Sequence, residues 1–403
     1  MPPGADARDH ERAMRILMLA NARAVHTQRW ASALGQRGHD VVVASIRSAE
    51  IENARLITRC IGPQNSANPI WTFLSYLRLL LSVRGIDRAV GADIVNAHFC
   101  ITHGMIAALA RLRPRVVNIW GSDVIWTGKG PMPLWRRALL RQSLERADAI
   151  VSTSRFMRDA IRPLLRRSPP VHIVPFGVEV ETFAPNDRRP EIDADRPVRV
   201  GFVKTLSETY APDVFLKAAA LAVTRGADLE LVVAGRGPLR KRLEAMASEL
   251  NLSDRVSFVG FVAHEAVPAL MRSLDILVNC SRSESFGVVI CEASACGLPV
   301  IATDVGGVRE AMLDGDTGVL VPRDDVEALA DAIGELAADP ARRAALGAAG
   351  RRYIHQNYVW RDCVESMLGV LKGAVETHGN YRGTVRVQSR QGTTQCSPGP
   401  RPS

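Results

Sequence analysis

Two carboxylates, Glu284 and Glu292, stand eight residues apart in the stretch DILVNCSRSESFGVVICEASACGLPVIA, and their surroundings suit chemistry. Glu284 lies in a small, polar loop, and Glu292 falls roughly a turn and a half inside the helix that follows. The N–H groups from Ser285 through Phe286 and Gly287 to Val288 would lack helical partners at that helix start. The helix dipole there favours negative charge. Gly287 would let a ligand come close to the backbone. Carboxylates beside an anion site are poorly suited to touch phosphate. They suit hydroxyl donors, as on a sugar or a ribose. On spacing alone a plainer reading stays open, with Glu284 capping the helix and Glu292 on its solvated face.

The elements that must position these residues are legible around them. Ile276, Leu277 and Val278 form an apolar run of strand length. Val288 to Ala295 reads as a helix, which Gly297 and Pro299 stop. The continuous segment ESFGVVICEASACGLPVIATDVGGVREAM resembles the E-x7-E donor-site segment of family four of the retaining glycosyltransferases, with the GT-B fold. That resemblance extends into GLPVIAT and the Gly-Gly pair. It implies that Glu284, with the backbone of Ser285, Phe286, Gly287 and Val288, holds the transferred sugar and a diphosphate. It implies that Glu292 holds the ribose, and it makes Glu284 a candidate catalytic residue.

From Val198 onward strands alternate with helices (VRVGFV, LELVVAG, VSFVGFV), which argues for a parallel doubly wound sheet with ligands outside the carboxyl ends of its strands. Three strand ends suit donor contacts: Lys204, Gly235 with Arg236, and Val262. The family carries two cations for the diphosphate in this region. Here Lys204 stands near the first and Tyr210 occupies the place of the second, so Arg236 or Arg282 is expected to supply the remaining charge.

The first half resembles the family's acceptor domain. RILMLA reads as a strand, followed by a loop, Arg29-Trp30, Gly38-His39 and a second strand. Trp120-Gly121-Ser122-Asp123 occupies the place of a His-Gly-x-Asp motif. By resemblance Asp123 is a candidate catalytic residue, with helix capping as its rival role, and Trp120 cannot act as a base. VPFGVEVETF resembles the segment that closes the first domain. The expected fold is α/β, GT-B, with two Rossmann-like doubly wound domains facing across a cleft. Residues 1–13 form a disordered extension, 14–185 the acceptor-binding domain, 186–197 a linker and 198–358 the nucleotide-sugar domain. Residues 359–376 are a helix crossing back to the first domain, and 377–403 a disordered tail.

Length fits this organisation, because 403 residues favour two domains or more. The net charge of +9 is uneven, with 27 Lys and Arg against 15 Asp and Glu in residues 1–190. Such a half suits a phosphorylated substrate or an anionic membrane surface, and an Arg-rich solvated surface is the bland alternative. Sparse aromatic interleaving argues against nucleic acid. The stretch IWTFLSYLRLLLSVRGIDRAV reads as a helix with a stripe of Ile70, Trp71, Phe73, Leu74, Leu77, Leu80 and Leu81. A core-facing helix is preferred over a membrane-surface helix, and Gly85 argues for a break. No apolar run reaches the roughly 18 residues of a membrane span, and no signal peptide is evident. The expected location is cytoplasmic, peripheral on the inner membrane face. Seven scattered cysteines suit reduced thiols. His98 and His103 lack a third ligand, so no metal site is expected.

The expected function is hexosyl transfer from a UDP- or GDP-linked sugar to a glycan or lipid-linked acceptor in cell-surface polysaccharide synthesis (capsule or lipopolysaccharide), with no cofactor. A nucleotide-sugar epimerase and a non-catalytic nucleotide-sugar-binding protein are its rivals.

Overall fold

The computed structural model describes residues 13–63, 68–126, 131–167, 169–185 and 196–391, with side chains described through residue 379. The extension before residue 13 and most of the expected linker lie outside them. In chain order the first half holds β1 (Arg15–Leu19), α1 (Val25–Gln36), β2 (Asp40–Ser45), β3 (Arg55–Thr58), α2 (Pro69–Val90), β4 (Ile94–His98), α3 (Met105–Leu109), β5 (Arg115–Ile119), α4 (Leu134–Leu144), β6 (Ala149–Ser152), α5 (Arg155–Ile161) and β7 (Val171–Ile173). The second half holds β8 (Val198–Val203), α6 (Pro212–Thr224), β9 (Leu229–Ala234), α7 (Arg240–Glu249), β10 (Val256–Gly260), α8 (Val267–Arg272), β11 (Ile276–Asn279), α9 (Val288–Ala295), β12 (Val300–Thr303), α10 (Val308–Ala311), β13 (Gly318–Val321), α11 (Val326–Ala338), α12 (Pro340–Asn357) and α13 (Trp360–Gln391).

The strands are near-continuous apolar runs because helices cover both faces of each sheet. The first sheet runs β3-β2-β1-β4-β5-β6-β7 and the second β10-β9-β8-β11-β12-β13. Every strand pairing in both is parallel. In each sheet the order reverses at one point, between β1 and β4 and between β8 and β11. A crevice forms outside the carboxyl ends at such a point. In the second sheet those ends lead directly into Lys204 and into the loop that carries Glu284.

α13 returns to the first half. Val364, Met367 and Leu371 are buried in the same core as Ile16, Trp30 and Val41. Each fully buried side chain of this kind contributes roughly 1.5–3 kcal/mol of gross burial energy. Trp30 and Trp360 pack with ring centroids 4.5 Å apart. Val178 and its neighbours seat the crossing, since Val178 N–H donates to the Tyr358 carbonyl at 2.8 Å and Trp360 N–H to the Val178 carbonyl at 2.9 Å.

Three local expectations change. α2 buries Ser75, Leu79, Val83 and Ile86 against the sheet, while Ile70, Phe73, Leu77 and Leu81 of the expected stripe face outward. The helix is apolar on two faces, and periodicity alone does not choose between them. Gly85 does not break it. A Cβ there would meet nothing, and the chain leaves the helix at Gly91 with φ +61°. Finally, α13 continues to Gln391, past the expected end near residue 376, in a stretch that contains no proline to interrupt it.

Candidate functional site

The loop from Cys280 to Gly287 is shaped from several sides. Thr303 Oγ1 donates to the Ser281 carbonyl at 2.5 Å, and Ser281 Oγ donates to Asn279 Oδ1 at 3.0 Å. Gly287 precedes α9 with φ +106°, a conformation that favours glycine. Gly306 and Gly307 press on the loop from outside. A Cβ on Gly306 would lie 1.9 Å from the Glu284 carbonyl oxygen, and one on Gly307 2.2 Å from that of Ser285. Gly307 N–H donates to the Glu284 carbonyl at 3.1 Å. The Phe286 side chain is buried and packs on Tyr358.

The two glutamates have different surroundings. The Glu284 carboxylate pairs with Lys204 Nζ, both side chains being largely buried, and lies 3.3 Å from Ser281 Oγ. Glu292 is half-buried, and among the described residues its carboxylate has no hydrogen-bond partner. Burial pushes it up to about 7, opposed by the nearby charges of Arg29 and Lys204 and assisted by Glu179. The Lys204 ammonium also lies 4.5 Å from the Tyr210 ring centroid, so Tyr210 contacts the cation beside it.

The carboxyl ends of three strands are laced together around Lys204. Lys204 N–H donates to the Ala234 carbonyl at 3.0 Å, and Gly235 N–H to the Gly260 carbonyl at 2.6 Å. Gly235 has φ +142°, and a Cβ there would lie 1.9 Å from the Lys204 carbonyl oxygen. Arg236 is exposed, its guanidinium 5.2 Å from the Phe261 ring centroid, and the adjoining Val262 is half-buried. Arg282 is engaged elsewhere, with Asp324 at 2.6 Å, Asp213 at 3.2 Å and Glu208 at 3.4 Å. That three-carboxylate network engages the Arg282 guanidinium, one of the two expected sources of the remaining diphosphate charge.

The first half faces this loop. Asp123 is buried, and its carboxylate accepts from three N–H groups, of Trp120 at 3.1 Å, Gly121 at 2.9 Å and Cys100 at 3.1 Å. The Asp123 carboxylate shapes the Trp120-Gly121 turn and takes up an N–H at the start of the helical segment Phe99–Gly104, as its capping alternative would have it. A Cβ on Gly121 would come 3.1 Å from Ser285 Oγ. Trp120 sits among His26, His98, Phe99 and Phe176. Burial holds His26 down at about 4 and His98 at about 3, so both imidazoles are neutral near pH 7. Arg29 lies 4.2 Å from the Trp360 ring centroid and reaches the Gly177 carbonyl at 3.2 Å. A groove of about 600 Å3 runs between α1 and the loop after β10, lined by Gln28, Arg29, Glu179, Phe261, His264 and Trp360 among others.

Contacts across the two halves fix the loop further. Ser154 Oγ donates to the Ser285 carbonyl, and the Glu310 carboxylate accepts from Arg155 N–H at 2.8 Å and Phe156 N–H at 2.9 Å. Sequence reasoning passed over Ser154 and Glu310 and gave Arg29 no role. Arg29 stood in view within the Arg29-Trp30 pair, and Ser154 is a recognisable N-cap before α5. Glu310 had no local signal.

Two parallel Rossmann-like sheets, meeting over a loop of helix-terminal N–H groups, carboxylates and a lysine, define the GT-B class of sugar-transferring folds. The comparisons agree. Residues 184–353 match the family described as "Glycosyl transferases group 1", and residues 15–154 the family "Glycosyl transferase 4-like". A relative from Mycolicibacterium smegmatis, named GDP-mannose-dependent alpha-(1-6)-phosphatidylinositol monomannoside mannosyltransferase, is 34% identical over 68% of this chain and 74% of its own. A D-inositol 3-phosphate glycosyltransferase from Salinispora tropica is 32% identical over 74% of this chain and 67% of its own. Sucrose-phosphate synthase from Thermosynechococcus elongatus shares the fold, with a TM-score of 0.77 and 22% identity over 89% of this chain and 98% of that one. The chain belongs to the group 1, family-four glycosyltransferases, and it is a glycosyltransferase that uses a nucleotide sugar.

Proposed function

We propose that this protein is a retaining hexosyltransferase that moves a sugar from a UDP- or GDP-linked donor to a phosphate-bearing glycan or lipid-linked acceptor. The observation that carries the reading is the pairing of two differently held carboxylates at the β8/β11 crevice. Glu284 is fixed by Lys204, whereas Glu292, within α9, keeps its acceptor oxygens unpaired among the described residues.

In this reading the N–H groups at the start of α9 and the Lys204 ammonium face the diphosphate, whose charge grows as the sugar leaves. Fixed donors aimed at developing charge stabilise it without reorganising. Arg236 adds charge from the exposed rim. Glu284 accepts from the sugar hydroxyls and Glu292 from the ribose hydroxyls. Gly235 and Val262 line the strand ends beside the nucleotide. The acceptor approaches from the first half, past Trp120 and Arg29. No cofactor or metal is required by these roles.

The acceptor class rests on the basic first half and on the phosphorylated inositol compounds in the names of the two relatives. Synthesis of a cell-surface polysaccharide or glycolipid at the inner membrane face suits such an acceptor. Among the described residues no helix is long and apolar enough to cross a membrane.

Calorimetric titration with UDP-, GDP- and ADP-sugars, on the wild type and on Glu292→Ala, tests the donor side. Tight binding of one donor, lost in the variant, supports the reading and names the base. Binding that survives the substitution overturns the ribose role, and binding without turnover on any acceptor overturns the transferase role.

A further inference from the structure

Arg29 of α1 is a buried cation with weak compensation. Its side chain is only 10% exposed. Its Nη2 donates to the Gly177 carbonyl at 3.2 Å and lies 3.5 Å from Glu179 Oε1, on a side chain that is 42% exposed. Its guanidinium covers the Trp360 ring. Its Nε is buried and has no hydrogen-bond partner among the described residues. A charge taken out of water needs opposite charge and hydrogen bonds close by. A half-solvated carboxylate at 3.5 Å supplies little of that.

Arg29 stands where the chain passes between its halves. Residues 177–179 lead out of the first domain, and residues 358–360 lead back. The two passages meet at a bridge between Val178 and Val359. They lie so close that a Cβ on Gly177 would stand 2.7 Å from the Trp360 Cα. Arg29 contacts both, so it ties α1 to the crossing. It also lines the groove beside α1.

The other carboxylate that its charge reaches is Glu292, on α9 of the second domain. The remaining charged groups around Glu292 are engaged. Lys204, at the end of β8, pairs with Glu284 in the loop before α9. Among the helices that pack on α9, Arg272 of α8 and Arg351 of α12 donate to main-chain carbonyls. In α10, Glu310 accepts from Arg155 and Phe156, and Arg309 pairs with Asp304. On α9 itself, burial pushes the Cys291 and Cys296 thiols up, so both are neutral near pH 7. Glu179 is the like charge that acts against Arg29.

We propose that Arg29 is a positioning residue for donor binding: the first domain supplies its guanidinium to Glu292 and holds that side chain as the carboxylate the ribose hydroxyls require. The inference rests on the ribose role argued above for Glu292. It makes donor binding a property of both domains. A change that draws α1 away from the crossing weakens the grip on the ribose without touching a group that contacts it.

The titration of Glu292, followed by carboxyl carbon-13 NMR on the full chain, tests this without a ligand. Glu292→Gln identifies the signal. The wild-type midpoint should lie at about 7. Arg29→Met keeps the packing on Trp360 and removes the charge, and it should move the midpoint up by about one pH unit. Arg29→Lys should bring it back. Glu179→Gln should move it down, because the like charge goes and Arg29 is released from its pair. That variant changes a half-exposed side chain and keeps the test open if Arg29→Met does not fold. Calorimetric titration with GDP and UDP gives the second readout. In Arg29→Met the ionised fraction of Glu292 at pH 7 should fall from about a half to about a tenth, so the nucleotide that binds should weaken about fivefold at pH 7 and return close to wild-type affinity at pH 9. A Glu292 midpoint unmoved in Arg29→Met and Glu179→Gln, or an affinity loss of equal size at both pH values, would overturn the proposal and leave Arg29 a structural clamp. Affinity lost in Glu292→Gln but kept in Arg29→Met at pH 7 would count against this inference alone. Affinity indifferent to Glu292→Gln would count against the ribose reading, and with it the donor role of Arg29.

Discussion

The hydroxyl of Ser154 donates to the main-chain carbonyl of Ser285 at 2.7 Å, joining the first domain to the residue that follows Glu284. The same oxygen accepts from Met157 N–H at 3.1 Å and caps α5. The next two residues, Arg155 and Phe156, donate their N–H groups to Glu310 of the second domain. The start of α5 is thus held by the domain that carries the donor loop.

Ser154→Ala should cost about 1 kcal/mol for the lost cap and about 1 kcal/mol for the lost cross-domain bond. The expected readouts are a lower unfolding temperature, a larger radius of gyration in X-ray scattering and a slower transfer rate. Glu310→Ala should reproduce the scattering change while the Ser154 cap stays in place. Wild-type scattering and rate in both variants would show that these contacts do not hold the cleft.

Glu292 makes stability and donor binding depend on pH in a predictable direction. Its carboxyl is raised from an ordinary 4.5 to about 7, chiefly by burial. Between those values the folded chain keeps a proton that the unfolded chain has released. Stability therefore falls as pH rises through this window, by about 3 kcal/mol in all if each pH unit carries its full weight. Glu292→Gln should flatten the profile from pH 4.5 to 7 and be the more stable protein at pH 8, as read by chemical denaturation. It should also weaken donor binding roughly tenfold to a hundredfold, the worth of hydrogen bonds to a charged acceptor. In the wild type, donor affinity should rise with pH through about 7.

Lys204 and Glu284 form a pair whose side chains are only 13% and 11% exposed. Removing one partner of such a pair leaves an uncompensated charge, at a cost of roughly 3–5 kcal/mol. Lys204→Met should therefore lower stability sharply, and Lys204→Met with Glu284→Gln should recover most of it without recovering transfer. Arg236→Ala, at an exposed site, should leave stability unchanged and weaken donor affinity. Arg282→Ala should do the reverse, because its partners are Asp213, Glu208 and Asp324. Donor affinity unchanged in both Lys204→Ala and Arg236→Ala would remove these cations from the diphosphate site.

The fold was legible because the strands are short apolar runs separated by helical patterns, and burial on both faces erases the alternation an antiparallel sheet would show. The Glu284–Glu292 loop was legible because its glycine, its acids and its helix start lie within a dozen residues. What escaped was tertiary. Arg29, Ser154 and Glu310 reach the site from distant parts of the chain, and no local spacing announces them. Between the two roles open to Asp123 the sequence could not choose, because the three N–H groups that its carboxylate takes up come together only in the fold. In α2 both faces are apolar, so composition could not say which one meets the sheet. Lys204, by contrast, was placed correctly at a strand end, and only its pairing with Glu284 required coordinates.

The Gly306-Gly307 pair offers the sharpest test of how the loop is held. Gly306 has φ +56°, and its missing Cβ leaves room for the Glu284 carbonyl, which Gly307 N–H then meets at 3.1 Å. Gly306→Ala would put a methyl group 1.9 Å from that oxygen. Backbone must move, because no flexible side chain end stands there to yield. The displaced carbonyl belongs to Glu284, so its carboxylate shifts away from Lys204 and the N–H groups ahead of α9 turn with it. A loss of roughly 2–4 kcal/mol in stability is expected for strain of this kind, with transfer abolished. Gly334→Ala serves as the control, since a Cβ at that helical position meets nothing within 4 Å. It should be neutral or slightly stabilising, because alanine suits a helix better than glycine. Gly306→Ala with wild-type turnover would show that the donor loop does not depend on the glycine pair pressed against it.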